Sequence, residues 1–535
     1  MPPPETAAEP LRAARRVLQL GAVLVVLVAV PGPLFDLDRY QVPKELVLHL
    51  AAFGAAFLAV RGARRLPLAT VDLLLLAYGA VTLVSALLAP NHWLAFRAAG
   101  VTWAGLALFW TARALARAGL TRPLLAVVAF AAVLGALSGL LQAYGADLPL
   151  ESARRAPGGT FGNRNFMAHL TALAVPLLAF LTLDSRARPA PFLGSAAILL
   201  SAAALLLSRS RAAWLAVAAG LVFLLVEGIL VNGLWRDPRI RRRLAALGAA
   251  GMVGIAGALA IPNALDWRSD NPYFESLVGV ANFREGSGRG RIIQYRNTLR
   301  MAADDPLLGV GPGNWPLAYP RYTTPGDPAY DAGDPIPTNP WPSSDWMAVL
   351  AERGIPALAF LWGAAGVMMF LGWRRARERG RATEGLAGLT LVATIVVAAV
   401  VGTFDAVMLL PAPVFLVWTL LGALLPPPRQ VASLPRRVPI RAVAVAVAVA
   451  GAAFALRSTM QVASILVAGD GGSRSALRWA SRIDPGSYRL HILLASRPDG
   501  RPRCERAREH GLPARELFPN HPAPKRVLRG CSLKN

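Results

Sequence analysis

The sequence predicts an all-α fold: a polytopic helical membrane bundle with a large partly helical loop on one side. Three observations carry this reading. Of 535 residues, 55% are hydrophobic and 16% charged, and the mean hydropathy is +0.44, too apolar for a water-soluble chain of this length. Apolar stretches recur throughout at about 20 residues, the length a helix needs to cross a hydrocarbon core roughly 30 Å thick. Among them sits an irregular polar segment, 263–345, with seven arginines, ten acidic residues and no lysine. The alanine, leucine and valine richness favours helices over barrel strands, whose lumen face would be polar.

In chain order, spans are predicted at 17–36, 43–60, 67–88, 97–114, 123–143, 165–183, 191–208, 212–231, 244–262, 346–371, 385–405, 409–425 and 438–457. Arg12, Arg15 and Arg16 precede the first, as in a signal peptide, but no small-residue cleavage pattern clearly follows, so an uncleaved helix is expected. The basic clusters Arg61 to Arg65, Arg113 to Arg122, Arg236 to Arg243 and Arg374 to Arg381 fall in alternate connections, as the positive-inside rule expects of cytoplasmic loops. Thirteen crossings then place the 144–164 loop, the 263–345 loop and the C-terminal tail outside. The formal charge of +25 is read as these topology anchors touching anionic lipid heads. Nucleic acid is not an expected partner; membrane lipids are.

The membrane domain is predicted over 1–457, with 458–535 as a separate outward tail. Ser473 to Ala480, a turn at Asp484-Pro485-Gly486 and a following apolar run read as helix, turn, helix. This is similar to the edge of a tetratricopeptide-like repeat, although one weak copy is visible where stacked units would be needed. With 14 basic and 6 acidic residues, the tail suits an anionic surface; a small solvated appendage is the plainer reading and the one expected. Cys504 and Cys531, the chain's two cysteines, both lie there; an extracytoplasmic location permits a disulfide, and their number leaves pairing open.

Three groups converge near the predicted outer face. Asn163, Arg164, Asn165 and His169 stand at the start of the sixth span, where amides and a guanidinium can bind polar oxygens; a helix cap with interface packing is the plainer reading. Arg209 and Arg211 break the loop-charge pattern, and arginine at a bilayer edge is costly without an anionic partner. Arg211 is the better placed of the two, with snorkelling or an ion pair as the alternative. The third group is Arg289, Arg291, Tyr295, Arg296 and Arg300, followed by Asp304 to Asn314. A helix is predicted over Arg291 to Met301, broken before Pro306, with Arg296 and Arg300 on one face and Tyr295 near the Arg291 side. Guanidinium groups bind phosphate through paired hydrogen bonds; a solvated helix with local ion pairs is the competing reading. The turn Gly309 to Gly313 lets backbone approach a ligand but lacks the lysine and serine of a P-loop, which excludes nucleotide binding there.

In order, spacing and membrane placement these residues resemble the bacterial O-antigen ligase and polymerase-like membrane family. The resemblance covers most of residues 20–425 and is clearest in Thr160 to Phe166, Ser210 to Trp214, Arg291 with Asp305 to Asn314, and Asp345 to Ile355. It implies a multi-pass bacterial inner-membrane protein with its large loop and tail in the periplasm. It also implies transfer of glycan from an undecaprenyl-diphosphate-linked donor to lipid A-core or another glycan acceptor. A polymerase would extend a growing glycan from the same donor, and a non-catalytic binding or transport protein would hold or move it without cleavage.

One departure matters. Where family ligases carry a pattern like His-Asn-Asp-Trp-Leu, this chain has Ser343-Ser344-Asp345-Trp346-Met347, so the acceptor-activating histidine corresponds to Ser343. A serine hydroxyl is a poor general base near neutral pH, whereas imidazole is a good one. On this reading Arg211 and Arg291 act on the diphosphate and Asp345 is the local proton acceptor, or else a helix-start cap. Asn163, Arg164, Asn165 and His169 bind substrate, as do Arg289, Tyr295 and Arg296, with Asn314 and Ser343 completing the set. His169 is a conceivable stand-in for the family histidine, and His92, beside Trp93, is an interface residue. No haem, zinc or iron–sulfur ligand spacing appears, so no metal and no cofactor are expected.

Overall fold

A computed structural model describes residues 5–63, 66–146, 157–230, 236–279, 282, 284–331, 333–334, 339–377, 382–427, 432–433 and 439–531. The first nine helices are α1 (Glu5–Leu27), α2 (Asp38–Arg61), α3 (Thr70–Leu87), α4 (His92–Arg117), α5 (Thr121–Ala143), α6 (Arg164–Asp184), α7 (Ala190–Ser208), α8 (Arg211–Leu230) and α9 (Pro238–Ala260). The large loop holds α10 (Pro272–Val278), α11 (Gly286–Asp304) and α12 (Trp315–Ala318). Four long helices follow: α13 (Asp345–Ala376), α14 (Ala382–Phe404), α15 (Pro411–Leu424) and α16 (Ile440–Ala468). The chain ends in α17 (Arg474–Ile483), α18 (Tyr488–Ser496), α19 (Arg503–Arg506), α20 (Leu512–Leu517) and α21 (Pro522–Leu528). A two-residue antiparallel ladder pairs Pro67 with Ser433 and Leu68 with Ala432.

The thirteen predicted spans each meet a helix, but eleven of these, among the described residues, are long and apolar enough to cross a membrane. The two exceptions have physical reasons. Helix α1 begins at Glu5, so its first turns carry Arg12, Arg15 and Arg16 rather than apolar residues. Helix α15 has 14 residues, all buried, and rises about 21 Å. Protein surrounds it, so it need not match the thickness of the hydrocarbon core. Helix α16 runs to Ala468, past the predicted domain boundary at 457.

Helix starts follow local chemistry. Asn91, Asn163, Asp237 and Ser344 each accept a backbone N–H at the N-cap of α4, α6, α9 and α13, and Pro238 and Pro411 stand in first turns, where proline's missing N–H costs nothing. Within the bundle, α2 packs on α1 and α16, α7 on α9, and α14 on α8 and α13. Small residues let helices approach closely, as where Gly422 of α15 lies against the Phe109 carbonyl of α4.

The loop builds a small core of its own from Met301, Ala302, Trp315, Tyr319 and Ala329 against Ala351 of α13. Helix α11 is longer than predicted and ends at Asp304, just before Pro306. The following turn docks on a break in α13. At Gly354 (φ 81°, ψ 176°) the helix kinks, which frees carbonyls that would otherwise be bonded within it. Val310 and Gly311 donate to the Ala351 and Glu352 carbonyls (3.0 Å each), and Ile355 donates to Pro306 (2.8 Å). Gly309 (φ 63°) lies so close that a Cβ would stand 2.4 Å from the Ala351 carbonyl. The glycine-rich turn therefore approaches protein backbone, not a ligand.

The C-terminal unit is docked rather than solvated. Leu477, Ala480, Leu490 and Leu494 share a core with Phe35, Val42, Ile465 and Ala468 of the membrane body. Arg489 donates to the Leu34 carbonyl and to Asp36, Asn520 to the Leu317 carbonyl (2.7 Å), and Arg321 of the loop to Asn520 (3.1 Å). Cys504 and Cys531 form a disulfide, which answers the pairing left open by sequence. Loop, tail and the 157–163 segment thus lie on one face of the bundle.

If the turn is the loop's anchor, Gly309→Ala should destabilise the protein by about 1–3 kcal/mol through strain at a positive φ and the clash with Ala351. Thermal unfolding of the detergent-solubilised protein measures this; an unchanged melt would show that the turn can shift freely.

Candidate functional site

On the loop face, four guanidinium groups from three stretches of the chain come together. Arg209, the C-cap of α7, adopts a left-handed conformation (φ 52°), uncommon for a side chain of this size. Its Nε donates to Ser276 of α10 (2.8 Å), its guanidinium lies 4.6 Å from the Trp267 ring centre, and Glu275 is 3.9 Å away. Arg164 approaches the same indole at 5.7 Å, so two cations share one aromatic ring. Arg211 donates to the Gly279 carbonyl and the Ser287 hydroxyl. It is close enough to Arg291 and Arg209 to be repelled by both, and Arg164 is repelled by Arg209 and Arg211.

Arg291 and Tyr295, one turn apart on α11, clamp the end of α14. The Arg291 Nε donates to the Phe404 carbonyl (2.9 Å). The Tyr295 hydroxyl donates into the carbonyls of Ser343 (2.8 Å) and Thr403. Burial pushes the Tyr295 phenol up to about 12, which keeps it a donor.

Beneath this clamp lies Asp405, 9% exposed. Its carboxylate accepts from the Ala406 amide (2.9 Å) and from Asn165, and it feels the Arg291 charge. Burial outweighs these pulls and raises its pKa to about 6. Fully buried His169 presents Nε2 to Ser210 (3.5 Å) and to Asp405 (3.9 Å), while its Nδ1 has no partner. Both contacts converge on one nitrogen, so the trio is not a serine–histidine–aspartate relay, which uses the two ring nitrogens in opposite directions.

The remaining expected residues separate by the work their atoms do. Asn163 caps α6 by accepting from the Asn165 amide (2.8 Å). Asn314 accepts from the Asn91 amide (2.9 Å) and donates to the Asn91 and Pro312 carbonyls (3.1 and 3.0 Å), so its amide is committed to the fold. Asp345, 1% exposed, accepts from Val407 (2.8 Å) and, with both oxygens, from Met408 (2.9 and 3.0 Å). It anchors the turn after Asp405. Ser343 joins through its backbone, whose amide donates to Gln294 (2.7 Å). Arg289 and Arg296 are exposed, and helical spacing sets them with Arg300 on the face opposite Arg291 and Tyr295. His92 is exposed, with Nε2 beside the Leu87 carbonyl (3.1 Å).

Sequence reasoning did not single out Asp405 or Trp267. A lone carboxylate ending an apolar run was the usable signal for the first. The second carried none, since an interfacial tryptophan is ordinary.

Below the guanidinium cluster, a cavity of about 1520 Å³ opens between α6, α7, α8 and α9. Its walls are almost wholly apolar, including Phe180, Leu205, Trp214, Leu221 and Met252, and residues 270–274 and Leu277 cover its outer end beside Arg209. Cations above an apolar groove suit an amphiphile with an anionic head. Residues 196–362 match a family model described as O-antigen ligase. That stretch of the chain is similar to the O-antigen ligase family. The match runs from α7 into α13 and so includes Arg209, Arg211, Arg291 and Asp345; Asn163 to His169 and Asp405 lie outside it. No curated protein matches the chain.

Asn314 should matter for folding. Asn314→Ala would leave the Asn91 amide and carbonyl unmet and cost about 1–3 kcal/mol. Thermal unfolding and donor-binding titrations separate the two roles: a lower melting temperature with unchanged affinity is expected, and the reverse pattern would return Asn314 to the substrate.

Proposed function

We propose that the protein transfers a glycan from an undecaprenyl-diphosphate-linked donor to a hydroxyl-bearing glycan acceptor at the periplasmic face of the inner membrane. The observation that carries this reading is the set of four guanidinium groups above a membrane-embedded apolar groove, inside and beside an O-antigen ligase domain. The groove takes the polyprenyl chain. Arg211 and Arg291 bind the diphosphate, with Arg209 and Arg164 assisting.

The chemistry follows from charge. The acceptor oxygen attacks the anomeric carbon and forms the new glycosidic bond. The bond from that carbon to the diphosphate oxygen breaks, and its electron pair leaves with the lipid diphosphate. Negative charge grows on the leaving group, where donors fixed beforehand are worth most. The acceptor's proton goes to Asp405, a more available acceptor than Asp345, whose oxygens both hold backbone amides. Asn165 and Arg291 orient that carboxylate, and His169 fills the wall beside it.

Full-length protein in lipid vesicles, given labelled donor and candidate acceptors and scored by product mass, tests the proposal. One transfer of an intact chain marks ligation, and repeat-length growth marks polymerisation. Donor bound but never cleaved would overturn the reading in favour of a binding or transport protein. Arg291→Ala should lower kcat/KM by about 10²–10³-fold.

The pH profile isolates Asp405. Only its ionised form can take a proton, and its pKa lies at about 6. Transfer should therefore be full above that value and decline as pH falls through it. Asp405→Asn should cut turnover by about 10²–10⁴-fold and remove that acid limb. An unchanged limb would assign it to another group.

A further inference from the structure

A second cavity, of about 500 Å³, lies between the membrane body, the loop and the C-terminal unit. Its volume is in the range of small-ligand sites. One part of its wall is fully satisfied: Arg97 donates from Nε to both Glu45 oxygens (3.0 and 2.9 Å) and from NH2 to Asp38 (2.8 Å). Another part is not. The Arg457 Nε and NH1, the Gln461 Oε1 and the Asp484 Oδ1 are buried with no hydrogen-bond partner. Arg457 NH1 and Asp484 Oδ1 are 3.5 Å apart without a formed hydrogen bond, and the Arg457 guanidinium rests over Trp93 at 4.7 Å. Trp341 and Tyr488 add aromatic surface.

These groups set the chemistry of an occupant. Buried polar atoms without partners cost about 1–3 kcal/mol each, so an apolar ligand would leave that cost in place. A simple anion would face Asp484, Glu45 and Asp38; a simple cation would face Arg457 and Arg97. An occupant that meets unpaired donors and unpaired acceptors at once must carry both kinds of group. Hydroxyls do, each with one donor hydrogen and two lone pairs, and the C–H face of a sugar ring suits Trp341 and Tyr488.

The cavity also points towards the candidate centre. Met408, Leu409 and Leu410 line it, and the Met408 amide is one of those bound by Asp345, in the turn that begins at Asp405. Trp341 lies 5.9 Å, ring to ring, from Phe166, the neighbour of Asn165. We propose that this cavity is a carbohydrate subsite walled on one side by the C-terminal unit, through Asp484 and Tyr488, and that it holds the acceptor sugar. The acceptor role rests on the transfer reading above; carbohydrate binding does not. The tail thereby becomes a specificity element.

The test uses full-length protein in lipid nanodiscs, titrated with lipid-free neutral, amino and acidic oligosaccharides and followed by tryptophan fluorescence. Saturable binding by at least one of these is expected. Gln461→Leu, which touches no ion pair, should weaken it about tenfold with little change in melting temperature; Asp484→Asn, which also loosens the Arg457 pair, should weaken it similarly, and the exposed tail variant Arg515→Gln should not. No binding to any of the three classes, or binding indifferent to both Gln461→Leu and Asp484→Asn, overturns the proposal even if glycan transfer proceeds. Binding lost in both variants without any glycan transfer upholds the subsite and overturns the transfer reading instead.

Discussion

Everything at the candidate centre depends on holding like charges together, for three of the four arginines largely through neutral partners. Several arginines elsewhere in the bundle meet a carboxylate: Arg97 with Glu45 and Asp38, Arg113 with Asp72, Arg375 with Glu384. Those pairs cancel charge and fix helices to one another. Arg164, Arg211 and Arg291 are held differently, by an indole face, by the Gly279 and Phe404 carbonyls and by the Ser287 hydroxyl. Such partners fix position without neutralising. The repulsion among these groups is therefore stored in the fold, and a doubly charged headgroup would relieve it. On the proposed reading, this separates an arginine that builds the bundle from one that binds the donor.

Keeping that arrangement requires the loop to be rigid, although it joins two membrane helices through more than 80 residues. The break in α13 at Gly354 provides the anchor, because the freed carbonyls accept from the glycine-rich turn. Ser85 of α3 stands within hydrogen-bonding reach of the Leu308 and Glu352 carbonyls (2.7 and 2.9 Å), tying a third element to the same point. From this anchor α11 is aimed so that Arg291 and Tyr295 meet the end of α14. The glycines and the arginines are separate devices with one result: the first set direction, the second supply charge.

Much of the bundle was readable from sequence because apolar length is a strong one-dimensional signal. Every predicted span found a helix, and α11 appeared where Arg291 to Met301 was expected. The signal weakened where environment replaced lipid. Helix α15 is short because protein encloses it, a fact no hydropathy run contains. The site was half legible. Arg211 was singled out because charge at a bilayer edge demands a reason, and Arg291 because guanidinium suits phosphate; the structure brings the two near one another. Asn314 and Asp345 carry equally suggestive side chains, yet their atoms are committed to backbone groups more than 60 residues away in sequence. Only three-dimensional contact distinguishes a polar group that serves the fold from one left available. The tail was expected to be a small solvated appendage, whereas Arg489 and the Leu477–Leu494 core dock it on the body.

The serine at 343, where the family pattern has histidine, is the hardest feature to reconcile with transfer, and burial offers a route. What imidazole brings to such a site is a proton affinity near neutrality, with an ordinary pKa of about 6.5. A carboxylate in water has no such affinity, but desolvation penalises its charged form and raises it. Asp405 stands at about 6 despite an amide, an asparagine and an arginine that all pull it down. A buried aspartate in this setting matches imidazole in the property that matters, and it does so from the end of α14 instead of the start of α13. In the proposed mechanism, the same desolvation would keep water from the anomeric carbon. On the proposed reading, the site loses the histidine without losing the base, because the environment supplies what the side chain lacks.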